Sequence, residues 1–231
     1  MWIRLVGWEF PILINMVKVL YEDNHLIAVF KPAGILVQGD ETKDECLMDQ
    51  VKEYLKEKYH KPGQVFLGLL HRLDRPVSGV VLFAKTSKGA ARLSEQIRTH
   101  KVEKIYNALI EGKLKNKKGT LINWILKNEK TNKVQVFDKE TKDALYAELS
   151  YEVLKEKDGK SLVKIILKTG RPHQIRAQFA HLGHPLVGDV KYGAKEALKD
   201  QSIALSAVSL TFKTATGDDN KTISIEPNFV I

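Results

Sequence analysis

The sequence predicts an α+β protein built on a mixed, largely antiparallel sheet with a few helices, and three observations predict it. Short β-rich apolar runs outnumber helical patterns, many neighbouring runs are separated by hairpin-length turns, and the order of runs does not argue a Rossmann fold. The chain has 231 residues with 43% apolar and 28% charged content, enough for a full core, and no Ser/Gly/Pro-rich linker or repeat divides it. Residues 16–231 are therefore expected to form one domain, preceded by an extension over 1–15.

Val17 to Tyr21 opens the strand pattern directly after Met16. Before it, Arg4, Glu9 and Pro11 interrupt the apolar run and no small-residue cleavage site follows, so the extension reads poorly as a signal peptide. It is either a vestigial strand or an over-extended start. Leu26 to Phe30 is a short apolar strand stopped by Lys31-Pro32-Ala33-Gly34, where proline sets a bend and glycine admits positive φ. Leu47, Val51, Tyr54, Leu55 and Tyr59 recur at helical spacing and predict an amphipathic helix over about 44–60. Val65 to Leu70 and Val80 to Ala84 read as strands, joined by the charged connection His71 to Gly79. Ala90, Leu93 and Ile97 mark a second helix ending near Arg98, with Ser87 as its expected N-cap.

Lys104 to Ile110, Gly119 to Leu126, Lys133 to Phe137 and Ala144 to Leu154 continue as strands. Asp158-Gly159 marks a hairpin turn before the strand Ser161 to Lys168. Gly159-Lys160-Ser161 looks like the end of a phosphate-binding loop, but Leu154 stands where the first glycine is required and strand follows rather than helix, so nucleotide binding is rejected here. Pro172 to Gly183 predicts a third helix, with proline in its first turn and glycine past its end. Ile203 to Phe212 and Thr222 to Ile225 supply closing strands.

The 37 Lys and Arg residues against 28 Asp and Glu give a formal net charge of +9. Such a field favours polyanionic partners, because each neutralised phosphate releases condensed counterions, although charge also serves solubility alone. The single cysteine, Cys46, excludes an internal disulfide and any multi-thiolate metal site built from this chain, and fits a reducing cytoplasm. No apolar run approaches the roughly 20 residues of a membrane span, so no membrane partner is expected.

Three stretches carry candidate chemistry. In His71-Arg72-Leu73-Asp74-Arg75-Pro76-Val77-Ser78-Gly79 one carboxylate lies between two guanidinium groups, which favour its ionised form. It reads either as a turn aspartate that caps local amides or as a nucleophile or general base. Gly170-Arg171-Pro172-His173-Gln174-Ile175-Arg176 places cations in the first turn of a helix, where each costs about a few tenths of a kcal/mol against the helix dipole. This is either a solvated basic helix end or a site that binds phosphate or orients a carboxylate such as Asp74. Lys104-Ile105-Tyr106 lies in the most basic part of the chain, with seven Lys or Arg from Arg98 to Lys118 against Glu103 and Glu111. Tyr106 reads as strand packing, or as a ring that stacks on a base or a phenol that moves a proton. His181 and His184 gather no further ligand at a recognised spacing, so no metal site is expected.

Taken in order, these segments closely resemble the RluA-type family of RNA pseudouridine synthases over about Val17 to Ile225. His71 to Gly79 looks like the family's catalytic signature, Lys104-Ile105-Tyr106 like its second motif, and Gly170 to Arg176, continued by His184-Pro185-Leu186 and Gly188-Asp189, like its third. Lys31-Pro32-Ala33-Gly34 resembles its early lysine-proline turn.

The resemblance implies isomerisation of uridine to pseudouridine within RNA by a monomeric cytoplasmic enzyme without cofactor or metal, on large-subunit ribosomal RNA first and transfer RNA second. It implies that Asp74 is the nucleophile, attacking ribose or uracil, and that Tyr106 packs on the uracil and is the candidate base. Arg176 would hold Asp74 ionised and aimed, and Ile175 would wall the base. Arg72 would assist entry of the flipped nucleotide, with His71, Arg171 and His173 around the substrate. Many members carry an N-terminal RNA-binding module of the S4 type, whereas here the catalytic pattern begins by residue 17. Selection of RNA is then expected from the catalytic domain, with Lys104, Lys113, Lys115, Lys117 and Lys118 as its RNA-facing surface. A catalytically silent RNA-binding protein is the alternative.

Overall fold

The structure, a computed structural model, describes residues 17–217 and 219–231; the extension expected over 1–15 lies outside the described residues. In chain order the elements are β1 (Val19–Glu22), β2 (Leu26–Lys31), α1 (Leu47–Lys58), β3 (Gly68–Leu69), β4 (Ser78–Ala84), α2 (Ser87–Arg98), β5 (Glu103–Glu111) and β6 (Lys118–Asn128). There follow β7 (Lys133–Phe137), β8 (Leu145–Lys157), β9 (Lys160–Leu167), α3 (Gln174–His181), a short 3-10 turn (Val190–Tyr192), β10 (Leu205–Lys213) and β11 (Asn220–Ser224). The strands join in the order β1-β2-β4-β10-β5-β9-β8-β6-β7, with β11 on β10 and β3 on β4. Among the described strands the one parallel pairing is β4 with β10, and an isolated parallel bridge joins Leu36 to Cys46, so the sheet is mixed and largely antiparallel, as expected.

All seven residues of β4 are buried, because helices cover both faces of the sheet there. Val81 and Phe83 pack with Val51 and Leu55 of α1 on one face, and Val80, Leu82 and Ala84 pack with Leu93 of α2 on the other. A strand sandwiched in this way reads as a continuous apolar run rather than an alternating one. The α1 face continues across the sheet through Tyr106, Ile165 and Tyr151, and there Ile175 and Phe179 of α3 close the core.

Several boundaries move by one to three residues, and three differences from expectation have a visible cause. The strand expected over 65–70 shrinks to Gly68–Leu69, because β10 pairs with β4 at Ser78 and Gly79 and only its far end, Phe83 and Ala84, remains for β3. Thr86, not Ser87, caps α2: it is extended, and its Oγ1 accepts the Gly89 N–H at 3.1 Å. The third helix starts at Gln174 rather than Pro172, because Gln174 locks the preceding loop with its own side chain. Its Oε1 accepts from the Arg171 N–H at 3.1 Å and the Thr169 hydroxyl at 2.8 Å. The Asp158-Gly159 hairpin is present between Lys157 and Lys160, with φ of 49° and 70° at its two central residues.

One row of cross-strand partners positions the site. Lys31, Gly79, Ala207, Tyr106, Ile165, Tyr151 and Gly119 lie opposite one another across seven strands. Tyr106 is thus two strand spacings, about 10 Å, from the strand that follows the charged connection. Gly79 is required in this row: with φ of +134°, a Cβ there would sit 2.5 Å from the Ala207 N and O.

Candidate active site

The charged connection runs from Leu70 to Val77 and is pinned at both ends. Leu73 and Val77 sink into the core, and the Val77 N–H donates to the Asp74 carbonyl at 3.0 Å, closing a turn. Asp74 itself stays accessible, with its side chain 28% exposed. Beneath it lies Lys31, 0% exposed at the end of β2. Its ammonium donates to the carbonyls of Pro32 (3.0 Å), Ile35 (2.8 Å) and Arg75 (3.1 Å), tying the Lys31–Gly34 turn to the Asp74 segment. Burial pulls Lys31 down to about 7, against the charge of Asp74, which raises it. Gly34 strengthens the tie by donating its N–H to the Arg75 carbonyl at 2.8 Å.

Arg176 reaches Asp74 from α3, 102 residues away in sequence. Its Nη1 donates to Asp74 Oδ2 at 2.8 Å, while Nε and Nη2 donate to the two oxygens of Asp189 at 2.7 and 2.9 Å. Asp189 is 1% exposed, so the guanidinium is clamped in a fork before it meets Asp74. Burial works against the guanidinium's charge, but Asp189 and Asp74 together hold its pKa above the ordinary value. Among the described residues no protein group hydrogen-bonds Asp74 Oδ1.

The remaining expected residues divide into those the fold gathers and those it does not. Tyr106 is buried on the same face as Ile175, Leu73 and Val77. Burial, and then the charge of Asp74, raise its phenol well above the usual value, so it enters as a proton-bearing hydroxyl. His173 lies 3.8 Å from Asp74 Oδ2 through Nε2, and its Nδ1 meets the Tyr192 hydroxyl at 2.8 Å. His71 turns inward instead: its Nε2 accepts the Leu82 N–H at 3.1 Å, filling the stretch of β4 that neither β10 nor β3 pairs. That acceptor role needs a neutral ring, and burial drives its pKa to about 3. Arg171 gives its Nε to the Tyr146 carbonyl at 3.0 Å, whereas Arg72 is exposed beside Asp74. Lys104 is half-buried close to Gly170, and burial lowers its ammonium.

The Lys113–Lys118 run is not beside Tyr106. Six residue steps along an extended strand lead from Tyr106 to Gly112, about 20 Å at ~3.3 Å per step, and the run begins beyond them. There Lys117 pairs with Glu156 at 2.6 Å and Lys118 with Glu152 at 2.7 Å, so two of its four lysines are neutralised by β8. His181 and His184 point to different partners, Asp138 and the Glu111 carbonyl, and among the described residues no group of three or more metal-ligating side chains assembles.

Lys31, Asp189 and Tyr192 acquire parts that residue-by-residue reading did not assign them. Lys31 ends an otherwise apolar strand, and a cation there signals a buried partner set. Asp189 and Tyr192 follow α3 through an irregular turn, and no periodicity links them to Arg176. The assembled arrangement is a carboxylate with one oxygen gripped and the other free, beside an apolar wall and a phenol. It can act as a nucleophile or base towards a flat, uncharged ring.

Comparison with known proteins places this arrangement in context. The model of the family described as RNA pseudouridylate synthase matches residues 25–181. A ribosomal large subunit pseudouridine synthase C of Buchnera aphidicola (subsp. Acyrthosiphon pisum) is 37% identical over 183 residues, covering 78% of this chain and 55% of that protein. A tRNA pseudouridine synthase C of Vibrio cholerae is 33% identical over 218 residues, covering 85% of each. The chain thus spans about half the length of the first relative and most of the second. Among solved structures, human RNA pseudouridylate synthase domain containing 4 superposes with a TM-score of 0.76 at 22% identity, covering 91% of this chain and 88% of that one, a likeness of fold.

Proposed function

The chain belongs to the RNA pseudouridylate synthase family, and on that premise we propose that it isomerises uridine to pseudouridine within RNA, with Asp74 as the nucleophile. The observation that carries this reading is the asymmetry of Asp74: Arg176 holds Oδ2 at 2.8 Å and Oδ1 is left for the substrate. A nucleophile needs a lone pair that no protein donor occupies, on an atom whose position is fixed by its other contacts.

The reaction follows from these groups. Oδ1 bonds to the ribose or to the uracil ring, the glycosidic bond between N1 and C1′ breaks, the uracil turns in the pocket, and C5 bonds to C1′ as the carboxylate is released. The proton on C5 must then leave and N1, which left C1′ with its electron pair, must gain one, so protons balance over the reaction. Tyr106 holds its own proton, so its oxygen can take the C5 proton only by passing the hydroxyl proton to solvent, from which N1 is protonated, and its ring packs on the uracil beside Ile175. Arg176 aims Asp74 throughout. Every group in this path belongs to the chain, and no cofactor or metal is invoked.

The target uridine must leave its stack, at about a few kcal/mol and least in a loop or distorted helix. Arg72, exposed beside Asp74, is placed to meet the extruded nucleotide, and the net +9 supplies backbone attraction. The names of the relatives support large-subunit ribosomal RNA and transfer RNA as substrates. We take ribosomal RNA as the first choice, with the domain over 16–231 acting as a monomer in the cytoplasm; no helix among the described residues is long and apolar enough to cross a membrane. Incubating the protein with unmodified transcripts of large-subunit ribosomal RNA and of transfer RNAs, followed by chemical mapping of pseudouridine, tests the reading. Pseudouridine at discrete positions is the expected result. RNA binding with no modification of either class would make the chain a silent binding protein instead.

A further inference from the structure

We infer that His173 is a positioning residue for Asp74, held by Tyr192 as the Nε2–H tautomer so that its N–H faces the carboxylate oxygen that Arg176 grips. This rests on the pseudouridine synthase reading and assigns a further part to the same site.

His173 is the residue before α3 and adopts a left-handed conformation, with φ of 51°, so the backbone takes part in setting where its ring lies. The side chain is 11% exposed and both ring nitrogens face protein groups. Nδ1 lies 2.8 Å from the Tyr192 hydroxyl and Nε2 lies 3.8 Å from Asp74 Oδ2. The Tyr192 oxygen already accepts the Val134 N–H at 2.8 Å. Burial raises the Tyr192 phenol, so it carries its proton, and Nδ1 is the acceptor at hand. The opposite tautomer would leave the phenol proton without that acceptor in a buried place.

The tautomer follows from this chain of donors: Val134 N–H to Tyr192, Tyr192 O–H to Nδ1, and the ring proton on Nε2. At 3.8 Å the contact with Asp74 is beyond hydrogen-bond range, so in the resting site it is a dipole aimed at a charge. The other tautomer would set a lone pair against the carboxylate. When Oδ1 bonds to the substrate, Oδ2 becomes the carbonyl oxygen of an ester, and Arg176 and His173 both face it.

His173 is kept neutral by burial, which outweighs the charge of Asp74, while Arg176, Lys191 and Asp189 contribute around it. A neutral donor positions Asp74 without adding a second cation that would dull its nucleophilicity. Tyr192 also lies under Arg176, with the guanidinium carbon 5.1 Å from its ring centroid, so one side chain braces both partners of Asp74.

The test uses the length of the side chain. In His173→Gln the amide nitrogen reaches the place of Nε2 and keeps the donor towards Asp74; in His173→Asn it reaches only the place of Nδ1. Asparagine is the better residue for left-handed backbone, so a merely structural role favours H173N. On unmodified ribosomal and transfer RNA transcripts, single-turnover rates should fall about tenfold in H173A, H173N and Y192F, with RNA affinity held, and H173Q should recover most of the loss. H173N as fast as H173Q, or Y192F at the wild-type rate, overturns the inference. Nitrogen-15 NMR of wild-type His173 decides the tautomer without any reaction. An Nδ1–H form overturns the inference even in an active enzyme, and an Nε2–H form in a protein that makes no pseudouridine places the failure in the assigned reaction instead.

Discussion

Replacing Asp189 with asparagine removes the buried carboxylate that shares Arg176 with Asp74. The guanidinium makes three charge-assisted hydrogen bonds, two to Asp189 at 2.7 and 2.9 Å and one to Asp74 at 2.8 Å. Asparagine keeps one acceptor and turns an amide N–H₂ towards a guanidinium N–H, so one bond is lost and a donor faces a donor. Breaking a buried ion pair costs about 3–5 kcal/mol, and the remaining charge of Asp74 reduces that to about 3 kcal/mol. For a domain of this size the loss corresponds to a fall in Tm of about 6–12 °C, or to an equivalent shift in denaturant midpoint. The structure also predicts coupling. In Asp74→Asn the arginine still has Asp189, and in Asp189→Asn it still has Asp74, but the double variant strands a buried cation. The double variant should therefore be less stable than the sum of the singles by 1 kcal/mol or more, where "1" is about the coupling expected for partners in one network. Denaturant unfolding of the four proteins of the cycle gives the number. A loss below about 0.5 kcal/mol in Asp189→Asn, or strict additivity, would refute the shared-arginine account.

Three further outcomes follow from the same structure. Glu22 is opposed by burial but held to about 2 by hydrogen bonds from Lys58, Lys85 and Tyr59; a carboxylate lowered on folding contributes stability above its unfolded value near 4.5 and loses it as pH falls towards 2. Allowing for solvent screening, Glu22→Gln should cost about 2 kcal/mol at pH 7 and close most of that gap by pH 3, measured by denaturant unfolding at the two pH values. Gly79→Ala drives a Cβ to 2.5 Å from the Ala207 backbone in a strand buried on both faces, and should cost about 4 kcal/mol or leave the protein insoluble; a well-folded variant with unchanged Tm would contradict the register. Replacing Lys113 and Lys115 with glutamine should flatten the salt dependence of RNA binding by about 1–2 units of slope, and more than replacing Lys117 and Lys118, which Glu156 and Glu152 already neutralise.

What the chain discloses of itself depends on the range of each interaction. The helix over Leu47–Lys58 was legible from Leu47, Val51 and Leu55, and the Asp158-Gly159 hairpin from two adjacent residues, because these signals are local. An anion at Asp74 and a cation at Arg176 were each visible as charges out of place, and pairing between them was open to inference across 102 residues. The insertion of β10 between β4 and β5 was not legible, since a parallel pairing of two residues, Ser78 and Gly79, leaves no periodic trace. Asp189 was visible only as part of the third motif, and its pairing with Arg176, like that of Tyr192 with His173, was hidden for a related reason: these partners are set by how α3 seats on the sheet, not by spacing along the chain. The ion pairs of Lys117 and Lys118 likewise depend on how β6 lies against β8, and they change a run of four cations into two.

The account centres on Asp74 as a nucleophile rather than a structural turn residue, and Asp74→Asn separates the two. The substitution keeps the side chain's shape and an acceptor for Arg176 while removing the anionic lone pair. Pseudouridine mapping under single-turnover conditions, beside RNA affinity measured on the same transcripts, should show no pseudouridine from the variant with affinity within a few-fold of wild type. Turnover at the wild-type rate in Asp74→Asn would contradict it.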